Sequence, residues 1–287
     1  MITVNGKKFN DAEFHNGEVI FEKPPVVDES LNVIEMMFQS NKDITALMFA
    51  REYLADVAPN AECHLVMKYC PYERMDREIN NQMFSMKYFA SIIDKFNFRK
   101  VYILDPHSEV CIDLLYTINT DVQVIDLKMY IDKVVEDFKP DYICYPDKGA
   151  FNKYPKVLRG LDIPYFYGSK VRDLENKGRI TDYELVNAPD LRDKKVLIID
   201  DICCLGGTAY NAAMEMKLRG ASEVAFYISH CENGIFAGKI LKREPFCPDG
   251  HCVNLPWAGN YTIDKVYTAD TMKLKDIHTN LQIVDMK

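Results

Sequence analysis

Residues 196–208 read VLIIDDICCLGGT and run on into AYNAAMEMKLRG. Four consecutive aliphatic residues stop on the adjacent carboxylates Asp200 and Asp201, and a short loop with Gly206, Gly207 and Thr208 then opens an alanine-rich segment of helical period. The order strand, acidic end, glycine loop, helix predicts a buried parallel strand with charge at its carboxyl end, the edge where open α/β sheets bind ligands. Paired glycines let the backbone approach a phosphate, and the N–H groups of the first helical turn point at the anion. The carboxylates cannot hold that phosphate. They suit sugar hydroxyls, from which they accept, or a magnesium ion, which takes oxygen ligands. A ribose phosphate satisfies the whole stretch.

The rest of the chain repeats this alternation. CHLVMKY reads as a strand, Met83 to Phe96 as a helix, and RKVYILD as a strand that stops on Asp105. FKPDY breaks the preceding helical pattern near Asp137, and DYICYPD then reads as a strand ending on Asp147. KGAFNKYPKVLRG follows as a helix, DIPYFYGSK as a strand and KVRDLENKGRI as a polar stretch before the central motif. Strands alternating with helices, with acids at strand ends, predict an α/β chain of two doubly wound parallel-sheet domains, 1–137 and 138–287. Asn16 and Gly17 inside FHNGEVIF predict a hairpin-like strand pair, and Leu31 to Ala55 reads as two helical stretches broken near Asn41 to Asp43.

At 287 residues and 48% hydrophobic content the chain can bury two cores. Its formal net charge of -8, with no long Lys/Arg run, offers no footprint for a nucleic-acid backbone. No apolar run approaches membrane-spanning length, and MITVNGKKFNDAEF lacks the apolar core of a signal peptide, so the expected location is the cytoplasm. Nine scattered cysteines read as reduced thiols. Cys231, Cys247, His251 and Cys252 match the usual zinc spacings poorly, and no metal is assigned to them.

The central stretch resembles the ribose-phosphate binding signature of type I phosphoribosyltransferases and of ribose-phosphate diphosphokinases, which make phosphoribosyl diphosphate. Five further segments resemble the diphosphokinase family in its own order: FHNGEV, PYERMDR, DPHSE, YPDKGA and SKVRD. The resemblance implies two domains of type I phosphoribosyltransferase-like architecture. It implies ATP and Mg²⁺, and an assembly of at least two copies, because FHNGEV is similar to a loop that reaches the adenine of a neighbouring subunit. The residues carried over for ATP are Phe14, Asn16, Glu18, Arg74, Asp76 and Arg77, and for the metal His107 and Asp147. Asp200, Asp201 and the loop of Cys204, Leu205, Gly206, Gly207 and Thr208 take the ribose phosphate, and Lys170 and Arg172 are catalytic, on a mobile loop.

These segments also have readings of their own. Arg74 and Arg77 on a turn after a strand make a guanidinium fork suited to phosphates, or else surface arginines paired with Glu73 and Glu78. His107, after a strand-ending Asp and a proline, is a structural histidine or a metal ligand, direct or through water. Lys170 and Arg172 lie two apart in a polar stretch, either a solvated connector or a closing loop that delivers positive charge as an oxyanion develops.

Cys204 and Leu205 stand where the family normally has Asp and Thr, and Met75 where it usually has Gln. The segment after His230 reads CENG before IFAG, with additional residues around Phe246 to Asn260. These departures put the acceptor in question: ribose 5-phosphate, or a larger compound containing it such as ADP-ribose, which some viral relatives pyrophosphorylate. Competing readings are a phosphoribosyltransferase, which needs neither PYERMDR nor FHNGE, and an inactive regulatory subunit, against which the retained acids and bases speak.

Overall fold

The computed structural model describes residues 1–24, 26–117, 120–173, 179–243, 256–257 and 259–285. The chain forms two compact units, Met1–Ile125 with Thr271–Lys273, and Asp126–Asp270 with Leu274–Lys287.

In the first unit β1 (Ile2–Val4) and β2 (Lys7–Lys8) precede a separate antiparallel pair, β3 (Asp11–Glu13) and β4 (Val19–Phe21). β5 (Leu31–Met36), α1 (Asn41–Val57), β6 (Glu62–Val66), α2 (Ser85–Lys95), β7 (Lys100–Leu104), α3 (Glu109–Leu115) and β8 (Asp121–Ile125) follow. The sheet order is β2-β1-β5-β6-β7-β8, parallel from β5 to β8. The hairpin expected at Asn16 and Gly17 is the β3–β4 pair: Gly17 has φ +89° and its N–H donates to the Phe14 carbonyl at 2.9 Å.

Leu31 to Ala55 is not two helices. Its first part is β5, in which Asn32, Ile34 and Met36 are buried on alternate positions between β1 and β6, so period two wins. The break read near Asn41 is where α1 starts. Ser40 is the N-cap in extended conformation, and the Asp43 carboxylate accepts the N–H groups of Gln39 and Ser40 at 2.7 and 3.1 Å. Leu47, Ala50 and Leu54 then bury one face of α1 at helical spacing.

The second unit contains α4 (Lys128–Phe138), β9 (Tyr142–Tyr145), α5 (Lys148–Val157), β10 (Tyr165–Asp173), β11 (Arg179–Val186), β12 (Lys195–Cys203), α6 (Gly207–Leu218) and β13 (Glu223–Cys231). A short 3-10 turn at Asn233–Phe236, β14 (Lys265–Ala269) and β15 (Leu281–Val284) complete it. The unit begins ahead of the division expected at 137, because α4 packs on β13 and β15. Burying Ile131, Val134 and Phe138 there contributes roughly 1.5–3 kcal/mol each, which ties the helix to the second sheet.

The second sheet runs β11-β10-β9-β12-β13-β14-β15, parallel except for the antiparallel β10–β11 ribbon. From β9 the chain crosses through α5 to β10 on one side; from β12 it crosses through α6 to β13 on the other. The reversal falls between β9 and β12, and the crevice beyond their carboxyl ends is where such sheets bind ligands.

Candidate functional site

β12 does not stop at its acids. β9 pairs with it only as far as Ile198, opposite Cys144, whereas β13 continues to Cys203, opposite Cys231. Asp200 and Asp201 therefore lie past the end of β9 while still held in a ladder by β13. Asp201 is 8% exposed, and its N–H donates to Asp200 Oδ1 at 3.1 Å. From α5, Lys153 brings its ammonium within 3.8 Å of Asp201 Oδ2 and over the Tyr154 ring. A cation beside the second carboxylate was missed from sequence, where nothing marks Lys153 above Lys148 or Lys156.

The loop to α6 turns at Gly206, whose φ of +75° favours glycine. A β-carbon there would also overlap the Ile240 side chain. At Gly207 nothing lies within 4 Å of where a β-carbon would be, so the first residue of α6 is open to an approaching ligand. The first N–H groups of a helix have no partners within it. Cys204 is exposed and Leu205 is 55% exposed. Beneath them the segment after His230 closes in: a β-carbon on Gly234 would be 2.7 Å from the Cys204 carbonyl oxygen, and one on Gly238 would overlap that of Leu205. These two glycines let the 3-10 turn and the residues just after it press on the loop backbone.

Across the crevice β9 leads to Pro146 and Asp147. Asp147 is the N-cap of α5, its Oδ1 accepting from the Ala150 N–H at 3.0 Å. Tyr183 on β11 donates its hydroxyl to the Pro146 carbonyl at 2.8 Å. Burial, and then the neighbouring Cys144, Asp147 and Asp200, hold this phenol far above its ordinary pKa, so it stays a donor. Lys170 and Arg172, expected on a mobile loop, have strand backbone in β10, opposite Tyr183 and Ile180 of β11. Residues 174–178 between the two strands, and Cys247, His251 and Cys252, lie outside the described residues.

The first unit holds the other segments. PYERMDR makes a turn after β6 in which Arg74 and Arg77 are exposed and Asp76 is half-buried, 3.8 Å from Arg77 Nε. Glu73 is buried rather than on the surface: it is 1% exposed and accepts the His107 backbone N–H at 3.1 Å, joining the arginine turn to the DPHSE turn. Both turns contain a non-glycine residue at positive φ, Tyr72 at +66° and Asp105 at +46°. His107 itself is exposed. At the β3–β4 tip Phe14 is 55% exposed, while Asn16 and Glu18 are tied to each other by two hydrogen bonds of 2.8 and 3.1 Å. His107 belongs to the first unit and Asp147 to the second.

Residues 122–244 match the model of the phosphoribosyl transferase domain. The chain is 27% identical over 223 residues to a ribose-phosphate pyrophosphokinase of Sulfolobus acidocaldarius, covering 76% of this chain and 74% of that one. Against the ribose-phosphate pyrophosphokinase of Methanobrevibacter smithii the figures are 29% over 234 residues, 77% and 75%. The fold matches the crystal structure of phosphoribosylpyrophosphate synthetase from Mycobacterium smegmatis with a TM-score of 0.69 at 15% identity, over 97% of this chain and 86% of the other. The architecture is thus that of the type I phosphoribosyltransferase-like α/β proteins. Within that class the relatives it resembles over about three quarters of its length are ribose-phosphate pyrophosphokinases, and the enzyme type they support is a pyrophosphoryl transferase.

Proposed function

We propose that the enzyme transfers diphosphate from ATP to the 1-hydroxyl of ribose 5-phosphate and releases AMP. The observation that carries this reading is the β12–α6 junction: two carboxylates at the switch point of the sheet, followed by an open glycine at a helix N-terminus. The similarity to ribose-phosphate pyrophosphokinases over three quarters of the chain supports it.

The ribose oxygen attacks the β-phosphorus as its proton leaves to water, and the bond from that phosphorus to the bridging oxygen of AMP breaks. Such transfers rest on alignment and charge neutralisation more than on covalent help from the protein. In this reading Asp200 and Asp201 accept from the ribose hydroxyls, and the backbone of Gly206, Gly207 and Thr208 binds the 5-phosphate. Lys170 and Arg172 neutralise charge in the transition state. Arg74, Asp76 and Arg77 hold the ATP phosphates, and Phe14, Asn16 and Glu18 take the adenine of an adjoining copy.

No group of three His, Cys, Asp or Glu side chains converges as a metal site among the described residues. Mg²⁺ fits this donor set, since it binds through one or two carboxylates and takes its other ligands from water and substrate phosphates. Asp147 would offer it a carboxylate oxygen, and His107 is carried over with it from the resemblance to the diphosphokinases, as a contact through water. Bound there with ATP, it supplies positive charge to the transferring diphosphate.

A second acceptor, ADP-ribose, is favoured by one observation: Cys204 and the exposed Leu205 line the phosphate loop with side chains that donate weakly or not at all. A phosphodiester, with less charge and one oxygen occupied, loses less by this than a phosphate dianion does. The phosphoribosyltransferase reading leaves the first unit's arginine turn without a role. No helix among the described residues is long and apolar enough to cross a membrane, and the cytoplasm is the proposed location. Incubating the protein with Mg²⁺, ATP and either ribose 5-phosphate or ADP-ribose, and identifying products by mass, tests the reading. AMP and a diphosphorylated acceptor are expected; ATP left intact with both acceptors overturns it.

A further inference from the structure

The parallel ladder between β9 and β10 covers three residue pairs, Ile143–Tyr165, Cys144–Phe166 and Tyr145–Tyr167, and then ends with β9. β10 runs on alone with β11, through Lys170 opposite Tyr183 to Arg172 opposite Ile180. Past the end of the ladder a side chain links this ribbon to the turn after β9. The Tyr183 hydroxyl donates at 2.8 Å to the carbonyl of Pro146, the residue before Asp147. The phenol occupies the place of a missing side chain on the strand between: a β-carbon at Gly168 would overlap the hydroxyl and Cζ and stand 3.0 Å from the Pro146 carbonyl oxygen. Gly168 has no positive φ, so its backbone is open to any residue; what stands against a side chain there is the tyrosine and, less severely, the Pro146 carbonyl oxygen.

We propose that Tyr183 is a positioning residue for diphosphate transfer, fixing the strand pair that carries Lys170 and Arg172 to the turn that carries Asp147. The inference rests on the roles given above to these three residues. Tyr183 is the ladder partner of Lys170, so a displacement of one backbone carries the other with it. The hydroxyl also holds the Pro146 peptide at the point where the chain turns from β9 to cap α5 through Asp147. Groups that act mainly in the transition state are sensitive to placement, and a misplacement of about 1 Å costs up to about a hundredfold in rate.

The test compares Tyr183→Phe, Gly168→Ala and the double variant Gly168→Ala/Tyr183→Val with wild type. It measures the melting temperature, kcat, and the KM values for ATP and ribose 5-phosphate. Tyr183→Phe keeps the ring and removes only the hydrogen bond; its kcat should fall about tenfold, with both KM values within about twofold of wild type. Gly168→Ala should lower both stability and kcat. The double variant removes the overlap with the phenol without restoring the hydrogen bond, so its melting temperature should rise above that of Gly168→Ala while kcat stays low. Wild-type kcat in Tyr183→Phe, or recovery of kcat together with stability in the double variant, would make the pair a packing device and overturn the proposal. A wild-type enzyme that forms no diphosphorylated ribose phosphate fails the assigned function itself, and the positioning role falls with it.

Discussion

Lys153 Nζ lies 3.8 Å from Asp201 Oδ2, with side-chain exposures of 21% and 11%. A pair this withdrawn from solvent is screened less than a surface pair, and each partner sets the charge the other presents. Asp201→Asn should keep the fold and cut turnover strongly, because an amide turns donors toward the ribose hydroxyls. Lys153→Met should lower kcat/KM for the acceptor. The two effects should be non-additive by about 0.5–3 kcal/mol in a double-mutant cycle on kcat/KM. Strict additivity would show that Lys153 does not act through Asp201.

Lys170→Ala and Arg172→Ala should each lower kcat more than they raise KM, since charge placed on a reacting diphosphate is used mainly in the transition state. Steady-state kinetics with ATP varied separates the two parameters. A pure KM effect would make the β10 residues binding elements.

The acceptor should respond to the loop side chains. Losing a hydrogen bond to a charged group costs roughly 1.5–3 kcal/mol, about ten- to a hundredfold in preference. Cys204→Asp with Leu205→Thr should therefore raise kcat/KM for ribose 5-phosphate relative to ADP-ribose. An unchanged ratio would leave the grip to the backbone and favour ribose 5-phosphate as the ordinary acceptor.

Gly238 touches no proposed substrate, yet a β-carbon there would overlap the Leu205 carbonyl, a backbone atom that can yield only by moving the loop. Gly238→Ala should raise KM for the ribose-phosphate acceptor several-fold, while KM for ATP stays near its wild-type value. Equal changes in both constants would point to general destabilisation, which thermal melting would register.

The exposed Phe14 at the β3–β4 tip should matter only in an assembly. We expect at least a dimer in solution, with specific activity falling on dilution as copies separate. Phe14→Ala should raise KM for ATP while the mass by light scattering is kept. Full activity from a monomer would remove the hairpin from the adenine site.

What the sequence made legible is what is local. The β12–α6 junction and the β3–β4 hairpin depend on residues within a few positions of one another, so aliphatic runs, acids and glycines announce them. β5 was misread because its period of two is imposed by β1 and β6 on either side, partners that a window of helical period does not contain. Glu73 and Tyr183 were missed for a related reason. Their contacts span 34 and 37 residues, and neither side chain differs in type from others of its kind that face solvent. The capping role of Asp147 was within reach of sequence, three residues before the Ala150 N–H it accepts; its nearness to the Tyr183 phenol was not.

The interlock of Gly168 with Tyr183 also constrains the order in which this strand pair can change over descent. A smaller residue at 183 gives up the hydrogen bond to Pro146 but meets no clash, since it leaves a gap beside Gly168. A larger residue at 168 cannot arise first, because it meets the phenol and, behind it, the Pro146 carbonyl. Lineages diverging from this chain therefore meet the smaller obstacle by giving up the tyrosine before the glycine, after which only the Pro146 carbonyl has to yield.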